Sequence, residues 1–404
     1  MTDGHGTPPK PGTVGARIRE QRLLRNLSLR ELGHLAHCSA SMLCGIEKGD
    51  RAPSERLIGS VARALRVSVA LLRGQPYLKQ LQHDQLDALI APLGNTLSLW
   101  DAPPEADGPP PRALPALYEA VMAARRQRVN AALLPLTDTL PGLIRELAHA
   151  AEVLTSPGDR DRVRWMQAEV AHTAEVVAYR LGYIDLARLA LTRMEHAAAR
   201  GEDPRWVAVE RVLRGQLALD GGHADTGMRL AELALRDLPA GSDPATRAVV
   251  GTLHLKAAIL ASGRGDGDES NARWEEARGI AGELGETQSF GLGFGPFYVG
   301  LVGVSSAGDR NEHDLAVERA RAVRVPEGHP GVAHVAHYWA NRARSAVWTA
   351  DHTDAMRSLQ KARTAAPQQT RCDPYVHEAV ATMLRARARA SDELREYARW
   401  CGVG

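Results

Sequence analysis

Aromatic residues are scarce in this chain. Phe, Trp and Tyr make up 4% of 404 residues, and all three phenylalanines fall within SFGLGFGPFY, Ser289 to Tyr298. Cysteine is equally thin: Cys38, Cys44, Cys372 and Cys401 are scattered, which suits a reducing compartment and offers no disulfide framework. His34, His37, Cys38 and Cys44 do cluster, but without C-x-x-C or paired-ligand spacing they read as small residues packing two short helices. No apolar run approaches the ~18 residues needed to span a bilayer. The opening MTDGHGTPPKPG has no hydrophobic signal region. A cytoplasmic protein without a membrane partner is therefore expected. Catalytic signatures are absent too: there is no G-x-S-x-G, P-loop or H-E-x-x-H, so an enzyme is not expected.

What is present begins near the start. Ser28 with Glu31 spells a capping box, so a helix starts there. Leu29, Leu32, Leu35 and Ala36 form one face of it. Ser39 caps a second helix with apolar positions Leu43 and Ile46, and Gly49 suits a left-handed C-cap. Val14, Ile18 and Leu23 predict a preceding amphipathic helix. Leu57, Ile58, Val61, Ala62 and Leu65 predict a following one, and Val69 to Leu72 closes the core. Two short helices joined by a tight turn are the helix-turn-helix unit.

The stretch resembles the lambda-repressor/Cro-like (XRE) helix-turn-helix family. The residues that carry the resemblance are Glu31-Leu32, Ser39, Ile46-Glu47-Lys48-Gly49, Arg51 and Pro53, completed by Leu57, Ala62, Leu65, Val67 and Leu71-Leu72. Charge supports a nucleic-acid partner. Residues 1–75 hold 12 Lys and Arg against 6 Asp and Glu, a balance of +6, while the rest of the chain, with 38 against 42, carries −4.

Docking geometry puts the N-terminal residues of the second helix at base edges of an operator duplex. Here these are Ser39, Ala40, Ser41 and Met42, with Cys44 and Gly45 one turn on. None makes a bidentate Arg–guanine or Gln–adenine pair, so direct base discrimination is expected to be modest. Phosphate contacts are better supplied, by Arg17, Arg25, Arg30, Lys48 and Arg51 and by the backbone at the Ser28 helix start.

The sequence divides into a tail at 1–12, a DNA-binding head at 13–77, a linker at 78–113 and a large body at 114–404. Leu78 to Trp100 reads as one or two joining helices, and DAPPEADGPPP, Asp101 to Pro111, as a Pro-rich spacer. The body repeats. Turn segments GYIDLA, GHADTG, GDESNA, GDRNEH and ADHTDA start at Gly182, Gly222, Gly267, Gly308 and Ala350, at spacings of 40, 45, 41 and 42. Small residues recur five after these starts, except at His313. Twelve after them come Met194, Ala234, Gly279, Ala320 and Ala362; Pro239 and Pro367 come seventeen after. The pattern resembles tetratricopeptide repeats, in which small residues let paired helices approach closely. Leu134–Leu154 reads as a divergent first unit, and Tyr375–Arg387 with Leu394–Trp400 as a C-terminal cap. The fold class predicted is all-α: a five-helix head followed by an α-solenoid.

A solenoid offers a concave surface lined by the first helix of each pair. In one first helix, Gly291, Gly293, Gly295 and Gly300 are costly choices at about 1 kcal/mol each relative to Ala, beside Phe290, Phe294, Phe297 and Tyr298. Two readings stay open: an aromatic pocket, and rings filling a gap left by the glycines. The next first helix offers His334, His337 or Tyr338, and Asn341 on one face. Earlier pairs could add His172, Glu175 and Tyr179, then Glu210 and Arg214, then His254. The effector-site candidates are thus Tyr179, Phe290, Phe294, Phe297, Tyr298, His334, His337, Tyr338 and Asn341. No third ligand accompanies His334 and His337, so neither a metal nor a cofactor is expected.

The arrangement resembles peptide-sensing quorum regulators and actinobacterial regulators of this architecture. That resemblance implies a transcriptional regulator acting as a homodimer, with a peptide or small-molecule effector in the concave groove. The alternative, from another class, is a solenoid adaptor for protein partners with a weak or vestigial DNA-binding head.

Overall fold

The computed structural model describes residues 13–72, 83–100 and 109–403, apart from positions 26, 66, 68–71, 131, 239–240, 242, 330 and 387–390. The tail at 1–12, most of the segment closing the head, the start of the linker, most of its Pro-rich spacer and Pro239 lie outside them.

The head is four described helices: α1 (Val14–Leu24), α2 (Leu29–Leu35), α3 (Ala40–Lys48) and α4 (Glu55–Leu65). Its boundaries are set by local hydrogen bonds. Glu31 N–H donates to Ser28 Oγ at 3.2 Å, and Ser28 N–H to Glu31 Oε2 at 2.7 Å, which completes the capping box. Ser39 Oγ accepts from Met42 N–H at 3.1 Å, and Gly49 closes α3 at φ +78°. Ile18, Leu32, Leu43, Ile46, Ile58, Val61, Leu65 and Leu72 fill the core. Two expected core residues are not in it: Leu23 and Leu35 are half-exposed. The inward stripe of α1 runs through Val14, Ile18 and Arg22, and the Arg22 guanidinium holds both oxygens of buried Glu47 at 2.7 Å.

The body begins one helix earlier than its expected start. α5 (His83–Ser98) packs Ile90, Leu93 and Leu97 into the same cluster as α6 (Leu114–Val129), α7 (Leu134–Val153) and α8 (Pro157–Leu181). Helix pairs then stack. α8 pairs with α9 (Ile184–Arg200), α10 (Arg205–Asp220) with α11 (Ala224–Asp237), and α12 (Pro244–Arg264) with α13 (Gly267–Leu284). α14 (Pro296–Asp309) pairs with α15 (His313–Ala322), and α16 (Val332–Trp348) with α17 (His352–Ala365). α18 (Pro367–Cys372), α19 (Pro374–Ala386) and α20 (Asp392–Cys401) cap the end.

Every intra-pair turn contains one left-handed residue: Gly182, Gly222, Gly265, Asn311 or Ala350. Counted from these, the fifth residue on is always small and buried: Ala187, Gly227, Ser270, Ala316 and Ala355. The repeat is thus more regular than its sequence register, which started the third and fourth turns at Gly267 and Gly308. His313 is not an exception once Asn311 marks the turn. Gly279 is exposed with nothing near it, and Ala277 and Ala281 make the close contact there instead.

The aromatic segment departs from expectation. It is not the interior of a helix. Thr287–Ser289 (β1) and Leu292–Phe294 (β2) form a two-stranded antiparallel hairpin, pairing Thr287 with Phe294 and Ser289 with Leu292. Its turn residues Phe290 and Gly291 are left-handed, at φ +51° and +73°. Pro296 opens α14 rather than kinking a helix, where its missing N–H costs nothing. Of the four glycines, only Gly300 lies in a helix; an added Cβ there would meet Val323 Cγ2 at 2.5 Å.

Head and body touch. A Cβ at Gly59 of α4 would lie 2.6 Å from the carbonyl oxygen of Asp220, at the end of α10. Arg385 of α19 reaches Asp50 Oδ1 at 3.2 Å and its carbonyl at 3.0 Å, and Arg51 Nη2 reaches Asn311 Oδ1 at 3.4 Å.

Candidate DNA-binding face and inner surface

The face of α3 expected to read bases is open. Ser39, Ser41 and Lys48 are exposed, as are Arg25, Ser28, Arg30 and Arg51; Ala40 and Gly45 are half-buried. Five candidates are partly committed elsewhere: Arg51 Nη2 donates to Asn311 Oδ1 of the body at 3.4 Å, Arg25 Nη1 donates to Gln21 Oε1 at 2.9 Å, and three more are held within the head. Met42 packs against the head core, so less of it remains for a thymine methyl. Arg17 Nη1 donates to the Leu72 carbonyl at 3.3 Å. The capping box takes the Ser28 and Glu31 amides, which removes two of the backbone donors expected for phosphate. The body contacts fall on α4 and on residues 50–51, just past the C-terminal end of α3.

The helix-turn-helix family model matches residues 18–72. The head is an XRE-type helix-turn-helix domain. Its match ends at Leu72, before α5 and the repeats, so it speaks for the head alone. Among solved structures, the chain is similar to the crystal structure of Bacillus thuringiensis PlcR in complex with the peptide PapR7 and DNA. That likeness has 13% identity, spans 88% of this chain and 94% of the other, and has a TM-score of 0.30. No curated protein matches the chain.

The nine effector-site candidates do not form one pocket. Phe294, Phe297, Tyr338 and Asn341 are buried at 1% exposure or less and are core residues, which corrects their placement in a groove. Phe297 packs edge-on to Tyr338 at 6.0 Å, and the Tyr338 hydroxyl donates to the Ala320 carbonyl at 3.2 Å. Phe294 fills the space left by Gly251, where a Cβ would collide with its ring. The remaining five fall into separate groups. Tyr298 sits edge-on to His334 at 5.3 Å. His337 lies 4.0 Å from Asp373. Tyr179 donates to Asp220. Phe290 stacks edge-on to Trp206 at 5.2 Å, beneath the Arg205 guanidinium at 4.8 Å.

The inner surface carries a polar network that sequence reading largely missed. Arg128 Nη2 of α6 holds Glu169 Oε1 of α8 at 2.9 Å. Gln216 of α10 accepts from Lys256 of α12 and donates to Asp220 Oδ1 at 3.0 Å. Burial pushes the Glu175 carboxyl up to about 8 against the pull of Arg128, Arg180 and Lys256, and pushes the Lys256 ammonium down to about 8. His334 is solvent-exposed, yet desolvation, helped by Arg180, His337 and His329, lowers it to about 3. Arg180 on α8 is among the charges that lower His334 on α16, four pairs further along the chain. Among the described residues no cluster of three or more metal-ligating side chains occurs, and no helix is long and apolar enough to cross a membrane.

One cavity of about 440 Å³ lies between the starts of α6, α8 and α10, with Tyr118, Trp165, Met166 and Trp206 in its walls. Trp165 and Trp206, like Glu169 and Glu210, recur 41 residues apart. That period was a usable sequence signal for this surface.

The Glu175 carboxyl gives a pH test. Its folded value lies above its ordinary one, so its contribution to stability is full at acid pH and is lost as pH rises towards 8. Glu175→Gln should remove that loss. Between about pH 5 and pH 8 the wild type should lose thermal stability relative to the variant; parallel pH profiles of the two melting temperatures would contradict the assignment.

Proposed function

We propose that this protein is a transcriptional regulator that binds operator DNA through α3 as a homodimer and receives a peptide or small-molecule effector on the inner surface of its repeats. The observation that carries the DNA reading is the solvent-open N-terminal end of α3 on a head of charge +6. The effector reading is supported by the polar network that joins Tyr179 of α8, Gln216 and Asp220 of α10 and Lys256 of α12, with the buried Glu175 carboxyl beside it. Head and body meet at Gly59 against Asp220, whose carboxylate belongs to that same network. A ligand that displaces Tyr179 or Gln216 therefore acts one residue from the seat of the head. Changing that seat changes how two heads are presented to half-sites about one helical turn apart.

Footprinting on genomic fragments tests the proposal. A protected pseudo-palindrome is expected. Ser41→Ala should change the preferred base at one position in each half-site while altering affinity for bulk DNA little, because Ser41 faces base edges and not phosphates. Protection that spreads evenly over all fragments would overturn the operator reading.

A further inference from the structure

The hairpin between α13 and α14 does not stay with its own repeat. It crosses the inner surface to the first repeats, where the Gly291 carbonyl accepts from Arg128 Nη2 at 3.4 Å across 163 residues of sequence. Phe290 inserts between Trp206 and Arg205, and Leu292 joins the apolar cluster of α8 to α12. The tip of a short hairpin thus lies on helices of the earlier repeats, with one ring anchored and one carbonyl on an arginine.

The fit is incomplete. His172, 2% exposed, has no hydrogen-bond partner at Nδ1, and that atom lies 3.0 Å from where a Cβ on Gly291 would be. Trp206, also 2% exposed, has an unpartnered Nε1–H. Unpaired buried polar atoms are uncommon in folded proteins, and each calls for an explanation. Phe290 is held left-handed, a conformation unusual for a bulky residue. The ladder is only three residue pairs long, and such hairpins are marginal by themselves. Trp206 also walls the 440 Å³ cavity, so space for a ligand adjoins the anchored ring.

We infer that the surface formed by Arg128, His172, Arg205 and Trp206 is a peptide-binding site in which the chain's own hairpin stands as a tethered occupant, and that an extended peptide bearing an aromatic side chain binds there by displacing it. This rests on the effector reading above and names its ligand class. The tether gives the hairpin a high effective concentration, so a free peptide competes poorly until the anchor is weakened.

The test uses the full chain and a synthetic capped peptide of sequence Ser-Phe-Gly-Leu-Gly-Phe, followed by titration calorimetry. Phe290→Gly empties the ring site and relieves the left-handed backbone. This variant should bind the peptide at least tenfold more tightly than the wild type, and hydrogen exchange of 287–294 should rise on binding. A peptide with its first Phe replaced by Ala should bind neither. Leu292→Ala provides a second opened variant should Phe290→Gly lose its helical circular dichroism. Equal binding to wild type and opened variants, or no binding to either variant at millimolar peptide, would overturn the inference. Tight binding without any change in operator affinity would leave the site standing and sink the effector reading instead.

Discussion

Residues 1–77 alone should bind operator DNA about 10²- to 10⁴-fold more weakly than the full chain. One head offers few contacts: its base-reading residues are small, Met42 is packed inward and Arg17 is held by Leu72. Joining two heads through their bodies turns the second binding event into an intramolecular one, and the gain comes from effective concentration without new contacts. The head should still fold by itself, because Ile18, Leu32, Leu43, Ile46 and Ile58 form a core closed among its own helices. Its circular dichroism and its affinity by fluorescence anisotropy are the two readouts. Equal affinity of fragment and full chain at moderate salt would remove the case for a dimer formed through the body.

Phe297→Ala should destabilise the body by about 3–5 kcal/mol, the usual cost of deleting a fully buried ring. Phe297 is completely buried and packs on Tyr298, His329 and Tyr338 together. Asn341→Ala should be milder, since Asn341 Nδ2 donates locally to the His337 carbonyl at 2.9 Å and its Oδ1 is already unpartnered. Both are read by chemical denaturation of the full chain. A Phe297→Ala variant of wild-type stability would contradict the core assignment and return the ring to the groove.

The head was legible because its boundaries depend on single residues with local effects. Ser28 with Glu31, Ser39 and Gly49 act within one turn of themselves, and the structure bears each of them out. Leu23 and Leu35 were misplaced for a reason that hydropathy cannot reveal. The inward stripe of α1 ends on Arg22, which is buried only because Glu47 arrives from another helix. The repeat turns were found, but one was set two residues late and another three residues early. Gly267 and Gly308 look like turn residues, whereas the left-handed positions are Gly265 and Asn311.

The inner surface was the least legible part. Its charged members are separated in sequence by one or more repeats, and which of them meet depends on how the helices curve back on one another. Arg128 and Gly291 are neighbours of that kind. The hairpin was read as helix because the repeat period called for one. Gly293 and Gly295 then looked expensive, when in fact a Cβ on Gly293 would strike the Tyr298 ring and one on Gly295 would lie 2.6 Å from Glu286. The rule that glycine marks close approach was right; the element it was applied to was not.

The central claim is that α3 and the loop after it face DNA. Salt dependence tests it most directly. Lys48 and Arg51 are exposed and expected at phosphates, Arg51 by exchanging its hydrogen bond to Asn311 for one to the duplex, so each should contribute about one released counterion to binding. For the full chain on operator DNA, the slope of log affinity against log salt should fall in magnitude by about 2 in the Lys48→Gln, Arg51→Gln double variant, with affinity reduced to a similar degree on operator and on unrelated sequence. An unchanged slope would contradict the account, because it would place this face away from the duplex.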